Sequence, residues 1–118
     1  MLYRTVAELV GTNREAVGDG WKSRRFLLAE DNLPFSVHET TVAAGSELRF
    51  KYRNHSETVY CIEGRGSIED VARDRILPIE PGTFYSVGIG EDHILRIQRD
   101  TRFLCIFAPA LEGQEEAD

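Results

Sequence analysis

Short apolar stretches separated by turn residues recur along most of the chain. Within residues 47–53, Leu48, Phe50 and Tyr52 alternate with charged residues, which is the pattern of a strand with one buried face. The other predicted strands cover residues 26–29, 35–42, 58–64, 66–72, 83–88, 93–98 and 103–108. Short strands at this spacing predict an all-β sandwich or barrel.

Turn residues separate these predicted strands. Among them, Gly64-Arg65-Gly66 lies between the predicted strands 58–64 and 66–72, and Arg99-Asp100 lies between 93–98 and 103–108. Glycine and aspartate favour turn conformations, so we expect one strand to end and another to begin at both places.

The N-terminus carries one helical signal. Thr5 and Glu8 have the spacing of a capping box, in which a hydroxyl and a carboxylate satisfy two backbone N–H groups. We expect a short helix within residues 1–12, because turn residues follow closely. No repeat, low-complexity block or linker divides the chain. Residues 1–118 are therefore predicted to form one domain, ending in an acidic, flexible tail over residues 110–118.

Composition narrows the classes of function. The chain has 118 residues, of which 42% are hydrophobic and 29% charged, and this is enough apolar material for a core. The net charge of −6 argues against a nucleic-acid partner. No apolar run approaches the ~20 residues that span a bilayer, so we expect a cytoplasmic protein without a membrane partner. In that reducing compartment, Cys61 and Cys105 are predicted to be buried free thiols rather than a disulfide.

Glycines and polar residues follow a specific spacing in the middle of the chain. Counted from Gly45, the residues Lys51, Arg53, Glu57 and Gly64 occupy the positions of G-x5-H-x-H-x3-E-x6-G, which is the first cupin motif. Cations occupy both histidine positions. The chain thus resembles a small cupin, a single-domain β-barrel of the jelly-roll type, but it lacks the usual site of two histidines and a glutamate.

The second half of the motif follows in the same way. Pro81-Gly82 precedes Tyr85, which stands where a cupin usually places its remaining histidine. A narrower resemblance accounts for both departures. It rests on WKSRR (21–25), HETT (38–41), YRNHSETVYCIEGRG (52–66), IEPGTFY (79–85), EDH (91–93) and CIFAPALEG (105–113). Together these blocks resemble the ectoine synthases, a branch of the cupins.

The resemblance implies a metal site. Its ligands correspond to Glu57, Tyr85 and His93, and the metal is expected to be Fe(II), with zinc, manganese, nickel and cobalt as alternatives. Carboxylate and imidazole are ordinary ligands for such ions, and a phenol becomes one when a metal lowers its pKa from ~10. Taken singly, the glutamate also fits a solvated strand, the tyrosine a barrel wall and the histidine a turn.

The resemblance also implies an activity. Ectoine synthases close the ring of N-γ-acetyl-L-2,4-diaminobutyrate with loss of water, and the product ectoine is a compatible solute made under osmotic stress. Tyr52 and Glu115 match catalytic positions of the family. The positions expected to bind substrate are Trp21, Ser23, Arg25, Thr40, Cys105 and Phe107. Each has a structural interpretation as well: the aromatic residues fit a core, the arginine a surface and the threonine an ordinary strand.

Other residues are not assigned to the site or differ from the family pattern. His38 and His55 are predicted to be structural histidines with satisfied hydrogen bonds. The glycines of GIGED (88–92) suggest a loose placement of His93. Relatives carry a histidine and a longer tail after the position of Glu115, so the resemblance implies a shortened lid here.

Two other functions remain open at this point. One is a related metal-dependent cupin enzyme acting on another small N-acyl or amino acid substrate. The other is a cupin that binds a small solute without turning it over. A homodimer is expected in each case, because an open β-sandwich leaves strand edges that must be covered.

Overall fold

Eight antiparallel strands form one continuous sheet in the computed structural model, which describes residues 1–115. The strands are β1 (Glu15–Gly18), β2 (Trp21–Leu27), β3 (Ser36–Val42), β4 (Glu47–Phe50), β5 (Ser56–Asp70), β6 (Arg75–Ile79), β7 (Phe84–Val87) and β8 (His93–Ala108). The main path through the sheet is β1-β2-β3-β8-β5-β6, with β4 on β8 and β7 on β5. The predicted single-domain, all-β barrel is confirmed.

The N-terminal helix α1 (Val6–Leu9) begins with the predicted capping box. The backbone N–H of Glu8 donates to Thr5 Oγ1 at 3.3 Å, and the backbone N–H of Thr5 donates to Glu8 Oε2 at 3.0 Å. Two of the first orphan N–H groups are thereby satisfied. No helix within residues 1–115 has the length and apolar character needed to cross a membrane.

The two predicted breaks between strands at Gly64–Gly66 and Arg99–Asp100 are wrong. Both places lie inside long strands, and the register of β5 against β8 shifts between Cys61 and Gly66. These shifts are bulges, which bend a strand without ending it. Gly64 has φ +114°, and a Cβ there would lie 2.5 Å from the backbone Cα of Thr101. The glycine therefore marks a close approach of two strands rather than a turn.

Four other elements differ from the prediction. Glu15–Gly18 and Arg75–Ile79 are strands that the apolar pattern did not indicate, since each is short and neither has a clear buried face. The stretch 26–29 is not a strand of its own, because β2 ends at Leu27 and a 3-10 turn over Ala29–Asp31 follows. β4 ends at Phe50, so Tyr52 lies in the loop that leaves it.

The core fills the space between the inward faces of β3, β5 and β8. Fully buried side chains there include Val59, Cys61, Ile79 and Phe103. The two cysteines are free and buried, as predicted. Inward positions follow the period of two, and they place the polar side chains discussed next on the same face as this core.

The first part of the predicted tail packs against the barrel. Leu111 is buried, its carbonyl accepts from the backbone N–H of Ala29 at 2.8 Å, and its N–H donates to Ser36 Oγ at 3.0 Å. Residues 116–118 of that tail lie outside the described residues.

Candidate active site

A cavity of about 490 Å³ opens inside the barrel, and its wall contains every residue that the sequence marked for a site. These residues are Trp21, Ser23, Arg25, Thr40, Tyr52, Glu57, Tyr85, His93, Cys105, Phe107 and Glu115. Nine of them lie on strands distant in sequence, where the period-two alternation turns them to one face, whereas Tyr52 and Glu115 lie in a loop and in the C-terminal segment. Lys51 and Arg53, at the histidine positions of the cupin motif, are not among the wall residues.

Three strands place the predicted metal ligands on one side of this cavity. Tyr85 on β7 faces Val59 in the register, two positions along β5 from Glu57, so both side chains point inward. His93 begins β8 opposite Phe50. Its Nε2 lies 3.7 Å from Glu57 Oε1, and the ring is almost fully buried.

The donors of this group suit a divalent metal. The described residues contain no cluster of three or more His, Cys, Asp and Glu side chains that could hold a metal ion, and Tyr85 adds a phenol to the glutamate and histidine on this part of the wall. His93 Nε2 is buried without a hydrogen-bond partner among residues 1–115. A carboxylate, an imidazole nitrogen and a phenol oxygen match the ligand preferences of iron and its neighbours.

The Glu57 carboxylate affects the pKa values of both Tyr85 and His93. Burial, with the charge of Glu57 added, raises the pKa of the Tyr85 phenol well above its usual value. The phenol therefore stays protonated at neutral pH unless a cation lies beside it. Burial acts to lower the pKa of His93, but the nearby Glu57 carboxylate and the contact with the Glu91 carbonyl outweigh it and raise that pKa.

The glycine-containing loop before His93 is held in place rather than loose. The N–H of Gly88 donates to Glu91 Oε2 at 2.7 Å, and the N–H of Gly90 donates to the Tyr52 carbonyl at 2.8 Å. The Glu91 carbonyl in turn lies 3.2 Å from His93 Nδ1. This contact fixes the orientation of the imidazole, as partners of metal-binding histidines do.

The opposite side of the cavity is built on β2 and β3. Arg25 and His38 are Cα partners there, and so are Ser23 and Thr40. Ser23 Oγ accepts from Arg25 Nε at 3.3 Å and from Thr40 Oγ1 at 3.3 Å. Arg25 is 8% exposed, so the predicted alternative of a surface cation is wrong.

His38 is a wall residue that the sequence interpretation missed. The prediction of a structural histidine with satisfied hydrogen bonds fails, because its buried Nε2 has no partner among residues 1–115. A usable signal was present: His38 shares the inward face of one strand with Thr40, two positions later. His55 differs, since its Nδ1 lies 2.7 Å from the Pro109 carbonyl and it is not part of the wall.

The C-terminal segment closes one side of the cavity. Arg25 donates from its NH1 nitrogen to the Gly113 carbonyl at 3.0 Å. Glu115 accepts backbone N–H groups from Glu112 and Gly113 at 2.7 and 2.8 Å. Burial acts to raise the pKa of Glu115, but these backbone hydrogen bonds outweigh it and lower that pKa. Glu115 therefore faces the cavity as a carboxylate.

Two further wall residues keep their protons. Burial, followed by the charge of Glu57, raises the pKa of the Tyr52 phenol, so this group can donate a hydrogen bond at neutral pH. Burial likewise raises the pKa of the Cys105 thiol well above its usual value. A protonated thiol is a poor nucleophile, so Cys105 is suited to lining the cavity rather than to covalent chemistry.

Aromatic rings form the apolar part of the wall. Phe107 lies 5.1 Å from Tyr52 and 5.1 Å from His38, measured between ring centroids. Trp21 packs partly buried against the core. Both rings pack in or against the core and also line the cavity, and their role in binding substrate stays a prediction.

Comparison with known proteins bears on this cavity. A family model described as ectoine synthase matches residues 1–118. The chain belongs to the ectoine synthase family. It is 44% identical to the L-ectoine synthase of Desulfosudis oleivorans, over 100% of this chain and 92% of that protein. It is 40% identical to the L-ectoine synthase of Halalkalibacterium halodurans, over 94% of this chain and 86% of that protein.

Solved structures give the same family and the wider fold. The crystal structure of ectoine synthase from P. lautus superposes with a TM-score of 0.91 at 41% identity, covering 96% of this chain and 81% of that one. The polyketide cyclase RemF from Streptomyces resistomycificus has a TM-score of 0.73 at 17% identity, covering 92% of this chain and 80% of that one. That likeness concerns the fold alone. The family resemblance inferred from the sequence is confirmed.

Proposed function

We propose that this chain is a hydro-lyase that closes the ring of N-γ-acetyl-L-2,4-diaminobutyrate to give ectoine and water. One observation carries the proposal: in a chain of the ectoine synthase family, a single cavity brings together all eleven predicted site residues. Its volume of about 490 Å³ suits a small acylated amino acid.

Ring closure makes defined demands on the site. The α-amine forms a bond to the acetyl amide carbon, and that carbon loses its oxygen as water. The reacting nitrogens together supply the two protons that leave with the oxygen. The site must therefore fold the substrate, accept a proton from the amine side and deliver one to the departing oxygen.

We propose that Glu57, Tyr85 and His93 hold Fe(II) during this reaction. The buried Nε2 of His93 without a protein partner and the adjacent carboxylate support this ligand set. When bound, the metal supplies a Lewis acid that polarises a carbonyl oxygen, and a weakly electrophilic amide carbon needs this help.

Other wall residues take the binding and proton-transfer roles. Arg25 presents a planar guanidinium on the far side of the cavity and is suited to the substrate carboxylate. We assign the proton transfer toward the departing oxygen to Tyr52, and its place on the cavity wall and its retained proton support this role. We assign the acceptance of a proton from the amine to Glu115, which lines the same cavity and stays ionised. Trp21 and Phe107 exclude water from the reacting atoms.

A turnover assay tests the proposal. The protein is loaded anaerobically with Fe(II), given N-γ-acetyl-L-2,4-diaminobutyrate and followed for ectoine by mass spectrometry. We expect iron-dependent product from the natural chain and from Glu63→Gln, an exposed position on the same strand as Glu57. We expect a loss of about a hundredfold or more in Glu57→Gln. Absence of ectoine from iron-loaded natural protein would reject the proposal.

The proposal extends to the oligomeric state and the cellular location of the protein. We propose a homodimer, which is supported by the exposed aromatic partners Tyr60 and Phe84 on the outer side of β5 and β7. Sedimentation equilibrium of the natural chain and of Phe84→Ser tests it, and a natural chain that stays monomeric at micromolar concentration would contradict it.

We also propose a cytoplasmic location, which the two free thiols support.

A further inference from the structure

Two imidazole nitrogens of the cavity wall have no hydrogen-bond partner within the part of the chain that the structure describes. His38 Nε2 and His93 Nε2 are both buried without a hydrogen bond among residues 1–115. The proposed metal site accounts for His93, which lies beside Glu57. His38 is only 2% exposed, and no role assigned so far uses it. Buried polar groups in native proteins are nearly always satisfied, so this nitrogen calls for an explanation.

The hydrogen-bond chain around Ser23 decides which nitrogen of His38 carries the proton. Ser23 Oγ accepts from Arg25 Nε and from Thr40 Oγ1, and these two contacts use its two lone pairs. Its own hydrogen can then go to His38 Nδ1, which lies 3.4 Å away. With Nδ1 as the acceptor, the neutral imidazole carries its proton on Nε2.

The charge state of His38 agrees with this tautomer. Burial, followed by the positive charge of Arg25, lowers the pKa of His38 to about 3, and the opposing charge of Glu115 does not restore it. The ring is therefore neutral across the physiological range. Its Nε2–H is a neutral donor that needs an acceptor.

The position of His38 indicates which acceptor. It is the Cα partner of Arg25 across β2 and β3, and both line the cavity. Phe107 packs 5.1 Å from the imidazole between ring centroids, and this contact restricts rotation of the ring. An anion bound to the Arg25 guanidinium would therefore lie on the same part of the cavity wall as the His38 Nε2–H.

We propose that His38 Nε2–H and the Arg25 guanidinium together bind the α-carboxylate of the substrate. This inference rests on the proposed function, because it takes the acylated diamino acid as the ligand. The positive charge of Arg25 then balances the negative charge of the carboxylate. The neutral imidazole of His38 adds a directed hydrogen bond without a second positive charge. Ser23 is a positioning residue in this arrangement, since it fixes the tautomer and also contacts Arg25.

The test compares two variants on two substrates. His38→Leu removes the donor, whereas His38→Gln places an amide N–H near the position of Nε2. The second substrate is N-acetyl-1,3-diaminopropane, in which hydrogen replaces the carboxylate. With the full substrate, we expect His38→Leu to raise KM by about 10- to 100-fold and His38→Gln by about fivefold or less. With the decarboxylated substrate, the natural chain and both variants are expected to give the same KM.

Iron content and melting temperature of each variant are measured alongside, and we expect iron content to stay unchanged because His38 is not a proposed ligand. The inference is overturned if His38→Leu loses as much on the decarboxylated substrate as on the full one. It is also overturned if His38→Gln is as impaired as His38→Leu.

A binding measurement separates this inference from the proposed function. Calorimetric titration of the anaerobic, iron-loaded protein with N-γ-acetyl-L-2,4-diaminobutyrate reports affinity without requiring turnover. If the natural chain makes no ectoine, the proposed function fails, but a 10- to 100-fold weaker affinity in His38→Leu still supports carboxylate binding. Equal affinity in the natural chain and His38→Leu overturns the inference even if the natural chain makes ectoine.

Discussion

Adjacent positions on β2 and β3 contrast the two faces of one pair of strands. Arg24 pairs in the register with Glu39 on the outer face, and Arg25 pairs with His38 on the inner face. The outer arginine forms a salt bridge with its partner, and Arg102 adds a second cation to the same carboxylate at 3.4 Å. The inner arginine faces a neutral imidazole, donates hydrogen bonds to the Ser23 hydroxyl and the Gly113 carbonyl, and interacts with the charge of Glu115 without a salt bridge among residues 1–115.

The difference lies in how buried charge is compensated. On the outer face, the Glu39 carboxylate pairs with the arginine, so removing Arg24 would cost stability. On the inner face, no carboxylate makes a salt bridge with Arg25 within the described residues, and burial lowers its pKa. A buried cation with incomplete compensation is suited to an anionic ligand. The contrast predicts that substitutions on the inner face change activity and those on the outer face change stability.

The largest expected effect comes from removing a proposed metal ligand on the inner surface. Glu57→Ala, Tyr85→Phe and His93→Ala should each lower the iron bound per chain, and Glu57→Ala should reduce turnover about a thousandfold, because the Lewis acid is lost. Elemental analysis and the ectoine assay measure both quantities. Unchanged iron content in all three variants would remove the proposed site.

The second effect tests the outer face. Arg24→Met leaves the buried carboxylate of Glu39 with Arg102 as its cation and should lower the free energy of unfolding by about 3 kcal/mol. The value of kcat/KM should stay within about twofold of that of the natural chain, since Arg24 is not part of the cavity wall. Urea denaturation and steady-state kinetics measure the two quantities. A large loss of kcat/KM without a loss of stability would reverse the contrast.

The third effect concerns Arg25, which lies on the inner face next to Arg24 in the sequence. Arg25→Lys keeps the charge but loses the planar fork that binds a carboxylate through two N–H groups. We expect kcat/KM to fall about a hundredfold, mainly through KM, which corresponds to about 2.7 kcal/mol. Arg24→Lys is the matched control and should leave kcat/KM nearly unchanged. Equal kinetics in the two lysine variants would show that neither arginine binds substrate.

The smallest expected effect concerns the pH dependence of stability, through a carboxylate that is paired with arginines outside the cavity. Asp31 accepts hydrogen bonds from the Leu28 N–H and from Arg4 and Arg14. Burial acts to raise its pKa, but these contacts outweigh it and lower the pKa to about 2. Because the folded pKa lies below the unfolded value of ~3.9, the carboxylate stabilises the fold above pH ~4, and this stabilisation is lost as pH falls toward 2.

Asp31→Asn should therefore lower the free energy of unfolding by about 2 kcal/mol at pH 7, and the difference from the natural chain should shrink between pH 4 and pH 2. Denaturation curves at pH 7, 4 and 2.5 measure it, with Asp19→Asn at an exposed position as the control. A difference that stays constant across this range would show that the ionised carboxylate is not the cause.

Apolar alternation and turn residues were sufficient to predict an all-β barrel and its short capped helix. Local pattern failed at Gly64–Gly66 and Arg99–Asp100, where glycine and aspartate lie inside long strands. A bulge and a turn use the same residue types, and only strand pairing distinguishes them. β1 and β6 were missed for a related reason: their pairing with β2 and β5 outweighs their weak intrinsic preference for strand.

The family motifs in the sequence by themselves determined the family and the positions to examine, because each motif residue has a fixed spacing along the chain. Tertiary structure alone decided how those positions interact. It placed His38, whose Nε2 has no hydrogen-bond partner among residues 1–115, opposite Arg25 on the neighbouring strand, and it gave Arg24 a salt bridge, although the two arginines are adjacent in WKSRR. The physical reason is that burial and hydrogen-bond partners belong to the space between strands, and a linear sequence does not specify which strands will share that space.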